Sequence, residues 1–254
     1  MGFKNSRLIG GQACLPAGRQ EFKNCRIPLN EKFNLQNKEI FTKRQFMTAE
    51  ILCLDDTDRY LENIRTAAQA LLSGSIVAFP TETVYGLGVC ADNNAAIDNL
   101  YSVKQRPRDK KLSIMIAEPD DVTKHVKHIP PIARRLISSF WPGPLTIVFD
   151  LSGNRTLGIR NPSNRVIRDL INSAGKSIVS TSANISGRPP ATDAQQVISD
   201  FSDKVDVVLD GGPAEAGKPS TVVKIVDNTF EIIRHGVIGK ERLNRCLNED
   251  CLSI

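Results

Sequence analysis

Residues 75–88 read Ser75-Ile-Val-Ala-Phe79-Pro80-Thr81-Glu-Thr83-Val-Tyr-Gly86-Leu-Gly88. Ser75 to Phe79 is a short apolar run of strand length, and Pro80 ends it because proline has no N–H to give a sheet ladder. The chain beyond the strand end is polar and carries glycines. Thr81 and Thr83 present hydroxyls suited to a small polar ligand, while Gly86 and Gly88 let backbone approach it closely. The competing reading is an ordinary strand-to-helix turn.

Outward from this segment, strands and helices alternate. Upstream, Asp58 is placed to cap a helix whose apolar positions Leu61, Ile64, Ala68 and Leu71 follow helical spacing, with Gly74 as its stop. Downstream, helices are expected over 94–104, 132–140, 165–173, 194–201 and 239–247. Strands are expected over 112–117, 145–150, 156–160, 177–181, 205–209, 221–226 and 230–234. Such interleaving predicts an α/β layer fold, and the three closely spaced C-terminal strands make its sheet mixed. Residues 50–254 read as one domain.

The chain has 254 residues, of which 41% are hydrophobic and 24% charged, and it carries a net charge of +5. Residues 1–46 hold nine Lys/Arg and three Glu, so they carry +6 and the remainder is close to neutral at −1. With no apolar periodicity, 1–46 reads as a poorly ordered basic extension, and Met47 as an alternative start. No run approaches the ~20 apolar residues of a membrane span. The first residues also lack a secretory apolar core, so a cytoplasmic location is expected. Six cysteines without a CxxC pair and three histidines supply neither a disulfide framework nor a structural zinc site, and no metal ligands are assigned.

Polar groups gather where the expected strands end. Residues 104–111 (Lys104-Gln-Arg106-Pro-Arg-Asp-Lys110-Lys111) place five cations between a helix end and a strand. Arginine grips phosphate oxygens bidentately and lysine acts on them as a point charge; a solvated charged face is the plainer alternative. Thr156-Leu-Gly-Ile-Arg160 puts a guanidinium at a strand end, suited to a carboxylate or to a surface ion pair. Ser180-Thr-Ser182-Ala-Asn184-Ile-Ser-Gly187 offers four hydroxyls and an amide after another strand, a composition that cradles anions. Neither GxxxxGK[ST], GxGxxG nor GxSxG occurs, so neither a P-loop, a dinucleotide fold nor a hydrolase elbow is indicated.

In this order, FPTETVYGLG (79–88), KQRP (104–107), WPGPLT (141–146), STSANISG (180–187), STVVKI (220–225) and IIRHG (232–236) resemble the YrdC-like threonylcarbamoyl-AMP synthase family of the TsaC type. The resemblance spans roughly 55–240. It implies a twisted mixed sheet flanked by helices with a concave basic face. The implied activity is a nucleotidyltransferase reaction that joins L-threonine, bicarbonate or CO2 and ATP into threonylcarbamoyl-AMP and pyrophosphate, with Mg2+ riding on the ATP. It further implies that the product passes to tRNA threonylcarbamoyl-transfer machinery. Carried over by motif, Lys104 and Arg106 hold ATP phosphates and are catalytic. Lys110, Thr156, Ser182, Asn184 and Arg234 complete the ATP site, and Thr83, Arg160, Ser180 and Ser220 hold L-threonine. The chain departs from many relatives at Lys110-Lys111, at Met115, where some carry His, and at Pro190, where some carry Ser.

An alternative of a different class keeps the fold without the chemistry: an RNA-binding or ribosome-maturation module, with weak RNA binding. Its expected aromatic stacking groups are sparse, since aromatics make up 6% of the chain. A carbamoyl transferase of the hydrogenase-maturation type would need zinc-finger cysteine pairs that are not in this sequence.

Overall fold

The computed structural model describes residues 49–248, apart from 56, 57, 154, 202 and 228. By compactness the chain divides into Met1–Lys43 and Arg44–Ile254; the basic extension expected over 1–46, and Met47, lie outside the described residues. No helix among them is long and apolar enough to cross a membrane.

The elements run β1 (Glu50–Cys53), α1 (Tyr60–Leu72), β2 (Val77–Phe79), β3 (Gly86–Cys90), α2 (Asn94–Val103), β4 (Ser113–Met115), α3 (Pro131–Phe140), β5 (Leu145–Leu151) and β6 (Arg155–Arg160). They continue with α4 (Arg165–Ala174), β7 (Ile178–Ser182), α5 (Ala194–Phe201), β8 (Val207–Asp210), β9 (Thr221–Val226), β10 (Thr229–Arg234) and α6 (Lys240–Asn248). All ten strands join one sheet in the order β1-β8-β2-β3-β7-β4-β6-β5-β9-β10. Four pairs are parallel (β1 with β8, β2 with β8, β4 with β6, β5 with β9) and the other five antiparallel, so the sheet is mixed as expected.

Three local expectations are corrected. β1 was not singled out as a strand, because a four-residue edge strand with a single buried position carries little periodic signal. Asp58 does not stand at the helix cap position, which belongs to Arg59; the buried stripe of α1 is Ile64, Ala67, Ala68 and Leu71, and Leu61 is exposed. Residues 86–90 form the central strand β3, not a turn. Gly86 and Gly88 serve the sheet there: a Cβ on Gly86 would sit 2.7 Å from the Phe79 ring, and one on Gly88 2.5 Å from Ile178 Cγ2 and 2.8 Å from Phe79. The register pairs Phe79 with Gly86 and Val77 with Gly88, so the Phe79 ring lies against β3 where Gly86 and Gly88 carry no side chain.

Strand alternation divides the interior in two. Ile114, Ile147, Phe149, Ile159, Val179 and Val223 face one way, into a core shared with α2, α3, α5 and α6. On the opposite face, α1 and α4 pack together and cover the β1-β8-β2-β3 half through Ile64, Leu71, Ile167 and Leu170. Each such fully buried aliphatic side chain contributes about 1.5–3 kcal/mol. Along β4, β6, β5 and β9, the residues of that same face line a cleft instead.

Candidate active site

The cleft has a volume of about 480 Å³ and is built by alternate residues of adjacent strands. β6 contributes Thr156, Gly158 and Arg160, β5 contributes Thr146 and Val148, β9 Val222, β4 Ser113 and Met115, and β7 Ser180 and Ser182. The register explains the grouping, since Met115 pairs with Arg160, Val148 with Gly158, Thr146 with Val222 and Ser113 with Ser180. A bulge between Ile232 and Arg234 at the end of β10 accompanies the presence of both Ile233 and Arg234 on the cleft wall.

The loop 80–85 closes one end. Tyr85 pins it, donating from its hydroxyl to Gly212 O at 2.7 Å and accepting from Gly211 N–H; burial, then Asp210, push its phenol pKa up. Thr81 Oγ1 accepts from the N–H groups of Thr83 and Val84 and lies 2.8 Å from Thr83 Oγ1. Arg160 reaches this loop from the end of β6: Nη2 donates to Glu82 Oε1 at 2.7 Å and to Thr83 Oγ1 at 3.0 Å, and Nε to Gly143 O. Glu82 and Arg160 are both buried, and Glu82 Oε2 meets no protein partner among the described residues. Ser180 Oγ, also buried, likewise has none.

At the other end Arg234 donates through Nε and Nη2 to Ser220 O and through Nη2 to Ser220 Oγ, which in turn lies 2.9 Å from Thr146 Oγ1. Arg106 donates to the carbonyls of Lys110 and Lys111, folding its loop over the cleft edge, and Lys111 Nζ donates to Thr156 Oγ1 at 3.0 Å. The Arg234 pKa is lowered by burial first, then by the charges of Arg160 and Arg106. Burial likewise lowers that of Arg106. The three guanidiniums therefore act within one field that an anion would relieve.

Thr83, Arg106, Lys110, Thr156, Arg160, Ser180, Ser182, Ser220 and Arg234 all line this cleft, as the motifs predict. Lys104 and Asn184 do not. Lys104 is 1% exposed, and its Nζ donates to Ser182 O, Asn184 O and Asn184 Oδ1. Asn184 in turn accepts from Ser182 Oγ at 2.7 Å and donates to Arg188 O. Both brace the 182–188 loop from behind, because a helix end that points its lysine into the fold must surround the ammonium with oxygens. Burial first, then Arg106 and Arg234, bring the Lys104 pKa down to about 7. Sequence reasoning gave no role to Thr146, although it closes the WPGPLT motif, or to Ser113, an ordinary strand residue with no motif signal, and did not foresee the Glu82–Arg160 pairing. Met115 lines the wall, and among the lining residues the one acid is Asp109. No group of three or more His, Cys, Asp or Glu among the described residues is arranged to hold a metal ion.

Residues 69–236 match the Sua5/YciO/YrdC family model, described as "Telomere recombination". The chain is 37% identical over 195 residues to a threonylcarbamoyl-AMP synthase of Pyrococcus abyssi, covering 73% of this chain and 57% of that protein. A Mycobacterium tuberculosis relative is 36% identical over 217 residues, which span 82% of this chain and 99% of the relative. The crystal structure of P. abyssi Sua5 complexed with L-threonine superposes with a TM-score of 0.70 at 36% identity, covering 73% of this chain and 57% of that one. This chain therefore spans little more than half the length of the Pyrococcus protein. The family-model match over residues 69–236, the sequence identities and the shared fold leave one assignment: the chain belongs to the Sua5/YciO/YrdC family.

Proposed function

We propose that the protein is an L-threonylcarbamoyladenylate synthase, forming threonylcarbamoyl-AMP and pyrophosphate from L-threonine, bicarbonate or CO2, and ATP. The observation that carries this reading is the unequal charge of the two ends of one cleft. At the Arg160 end the guanidinium is paired with Glu82, so the local charge is balanced, which suits a zwitterionic amino acid. At the other end Arg106 and Arg234 form no ion pair among the described residues and bond to backbone carbonyls and a hydroxyl, so with Asp109 as the one acid of the lining this end keeps an excess of positive charge for a phosphate chain. The Pyrococcus abyssi relatives, a threonylcarbamoyl-AMP synthase and a Sua5 structure holding L-threonine, support the amino-acid substrate.

In this reading Arg160 takes the threonine carboxylate, with Thr83 and Ser180 beside it and Ser220 reaching the amino acid from the Arg234 end. The neutral amine attacks the carbon of CO2, loses its proton and becomes a carbamate. A carbamate oxygen then attacks the α-phosphorus, and the bond to the β-phosphate oxygen breaks to release pyrophosphate. Arg106 and Arg234 offset the charge that builds on the leaving phosphates, while Ser182, Lys110 and Thr156 hold the nucleotide. Lys104 and Asn184 act indirectly, by fixing the Ser182 loop. Catalysis rests on holding two anions together, with no covalent enzyme intermediate. Mg2+ enters as part of the Mg–ATP substrate. The product is a reactive mixed anhydride, so a separate transferase must pass its acyl group to tRNA.

The test is pyrophosphate release from ATP, Mg2+, bicarbonate and L-threonine, with each omitted in turn. Release that needs both threonine and bicarbonate, and is lost in Arg106→Ala and Arg160→Ala, is expected. Folded protein that releases none would overturn the reading.

A further inference from the structure

A glycine inside a strand weakens it, through lost chain entropy and a missing side chain, so its presence there calls for a reason. In β3 the reason is packing: a Cβ on Gly86 would lie 2.7 Å from Phe79, and one on Gly88 2.5 Å from Ile178. Gly158, in the middle of β6, has no such neighbour. It is paired on both sides, with Ser113 of β4 and Val148 of β5, and its φ is not positive. A Cβ on Gly158 would meet Ser113 Cβ at 3.4 Å, Thr146 Cγ2 at 3.5 Å and Val148 Cγ2 at 3.8 Å, all ordinary van der Waals contacts. The fold therefore has room for a side chain at 158, and that room belongs to the cleft.

The position along β6 shows what would use the room. Thr156, Gly158 and Arg160 all face the cleft, each about 6.6 Å from the next along the strand. Arg160 lies at one end, held by Glu82 and Thr83. Thr156 lies at the other, where Lys111 Nζ donates to its hydroxyl at 3.0 Å. That contact continues the parallel register of β4 and β6, two residues back from the Ser113–Gly158 pair. Gly158 is thus midway between the two ends, with Ser113 and Thr146 beside it on the cleft wall.

We propose that Gly158 is the floor of the reacting centre: the carbamate and the α-phosphate of ATP meet above it, and the missing side chain lets them close to bonding distance. This rests on the synthase reading of the cleft. Arg160 and Thr156 hold the two substrates by groups that do not react, so the reactive ends converge over the residue between them. There the carbamate oxygen forms its bond to the α-phosphorus as the bond to the β-phosphate oxygen breaks, and pyrophosphate leaves with that electron pair. A methyl group at 158 would leave each substrate bound at its own end while holding the two reacting atoms apart. A misplacement of about 1 Å can cost on the order of 10²-fold in rate.

The experiment compares the intact wild-type protein with Gly158→Ala in three measurements: kcat for pyrophosphate release, calorimetric binding of L-threonine alone and of Mg–ATP alone, and the thermal unfolding midpoint. In Gly158→Ala, kcat is expected to fall on the order of 10²-fold. Each substrate should still bind singly as it does to the wild type, and the midpoint should stay level or rise, since alanine suits a strand better than glycine. An unchanged kcat overturns the proposal. So does a lowered midpoint or a failure to fold, which would mean that Gly158 serves the sheet as Gly88 does. Loss of binding of one substrate alone also overturns it, by placing the glycine under that substrate and not at the junction. Wild-type protein whose pyrophosphate release does not depend on threonine would instead count against the synthase reading itself.

Discussion

Arg160 Nη2 and Glu82 Oε1 form an ion pair of 2.7 Å at the closed end of the cleft, with side chains 6% and 10% exposed. Paired with Glu82, Arg160 is held in place yet still lines the cleft, and its partner carboxylate keeps one oxygen without a protein contact. An ion pair at this depth is costly to form and far costlier to break on one side.

Glu82→Ala should therefore destabilise the protein by about 3–5 kcal/mol, since it leaves a buried guanidinium without its counterion. Glu82→Gln keeps an acceptor for Nη2 and should lose less. Urea unfolding of the three proteins checks this; equal midpoints would mean the pair contributes nothing to stability.

The two ends of the cleft should separate kinetically. Arg160→Ala should raise KM for L-threonine, whereas Arg234→Ala should raise KM for ATP. Each should lower kcat/KM by on the order of 10²–10³, the loss seen when one charge-stabilising donor is removed. Steady-state pyrophosphate release with each substrate varied in turn reads this out. A rise in the same KM for both variants would contradict the division.

Gly88→Ala should destabilise by about 1–3 kcal/mol, as overpacking does, because its Cβ would lie 2.5 Å from Ile178 Cγ2 and 2.8 Å from Phe79 Cε1. Phe79→Leu in the same chain should recover part of the loss if the ring is the obstacle. Thermal unfolding of the single and double variants decides whether the two positions are coupled.

Lys104 gives a pH dependence. Its pKa in the free protein is about 7, set first by burial and then by Arg106 and Arg234. Bound phosphates are opposite charges close by and raise it. Above pH 7 the free protein has lost this proton while the complex retains it, so ATP binding takes up a proton and weakens as pH rises. Below pH 7 both forms are protonated and the dependence fades. Titrating Mg–ATP at pH 8 in buffers of different ionisation enthalpy should reveal the uptake, and Lys104→Met should abolish it.

Much of the fold was legible because apolar periodicity is a local property of the chain. The 165–173 pattern becomes α4, stopped at Gly175 in a left-handed conformation, and 194–201 becomes α5 with the same bounds. β3 was hidden because its composition, Gly-Leu-Gly-Val-Cys, reads as a turn until Phe79 is laid across it. At the site, residue types chosen for phosphate and carboxylate chemistry were readable along the chain, and nine of the eleven predicted residues line the cleft. Lys104 and Asn184 lie behind the Ser182 loop and not on the cleft wall, a placement the sequence does not announce because nothing local distinguishes a lysine that faces a ligand from one that faces a carbonyl cage. Thr146 received no role because its motif does not say which way its side chain faces; the pairing with Val222 on β9 and the contact with Ser220 just before that strand put it on the cleft wall.

The sequence by itself determined the order of the helices and of every strand but β1 and β3, the polar chemistry at the strand ends and the family, since each is written in residue types at short spacing. The tertiary structure alone decided that β8 lies between β1 and β2 and that Glu82 meets Arg160. Those are pairings across 78 residues or more. The first is set by which apolar faces bury one another, the second by which buried donors and acceptors remain to seek a partner.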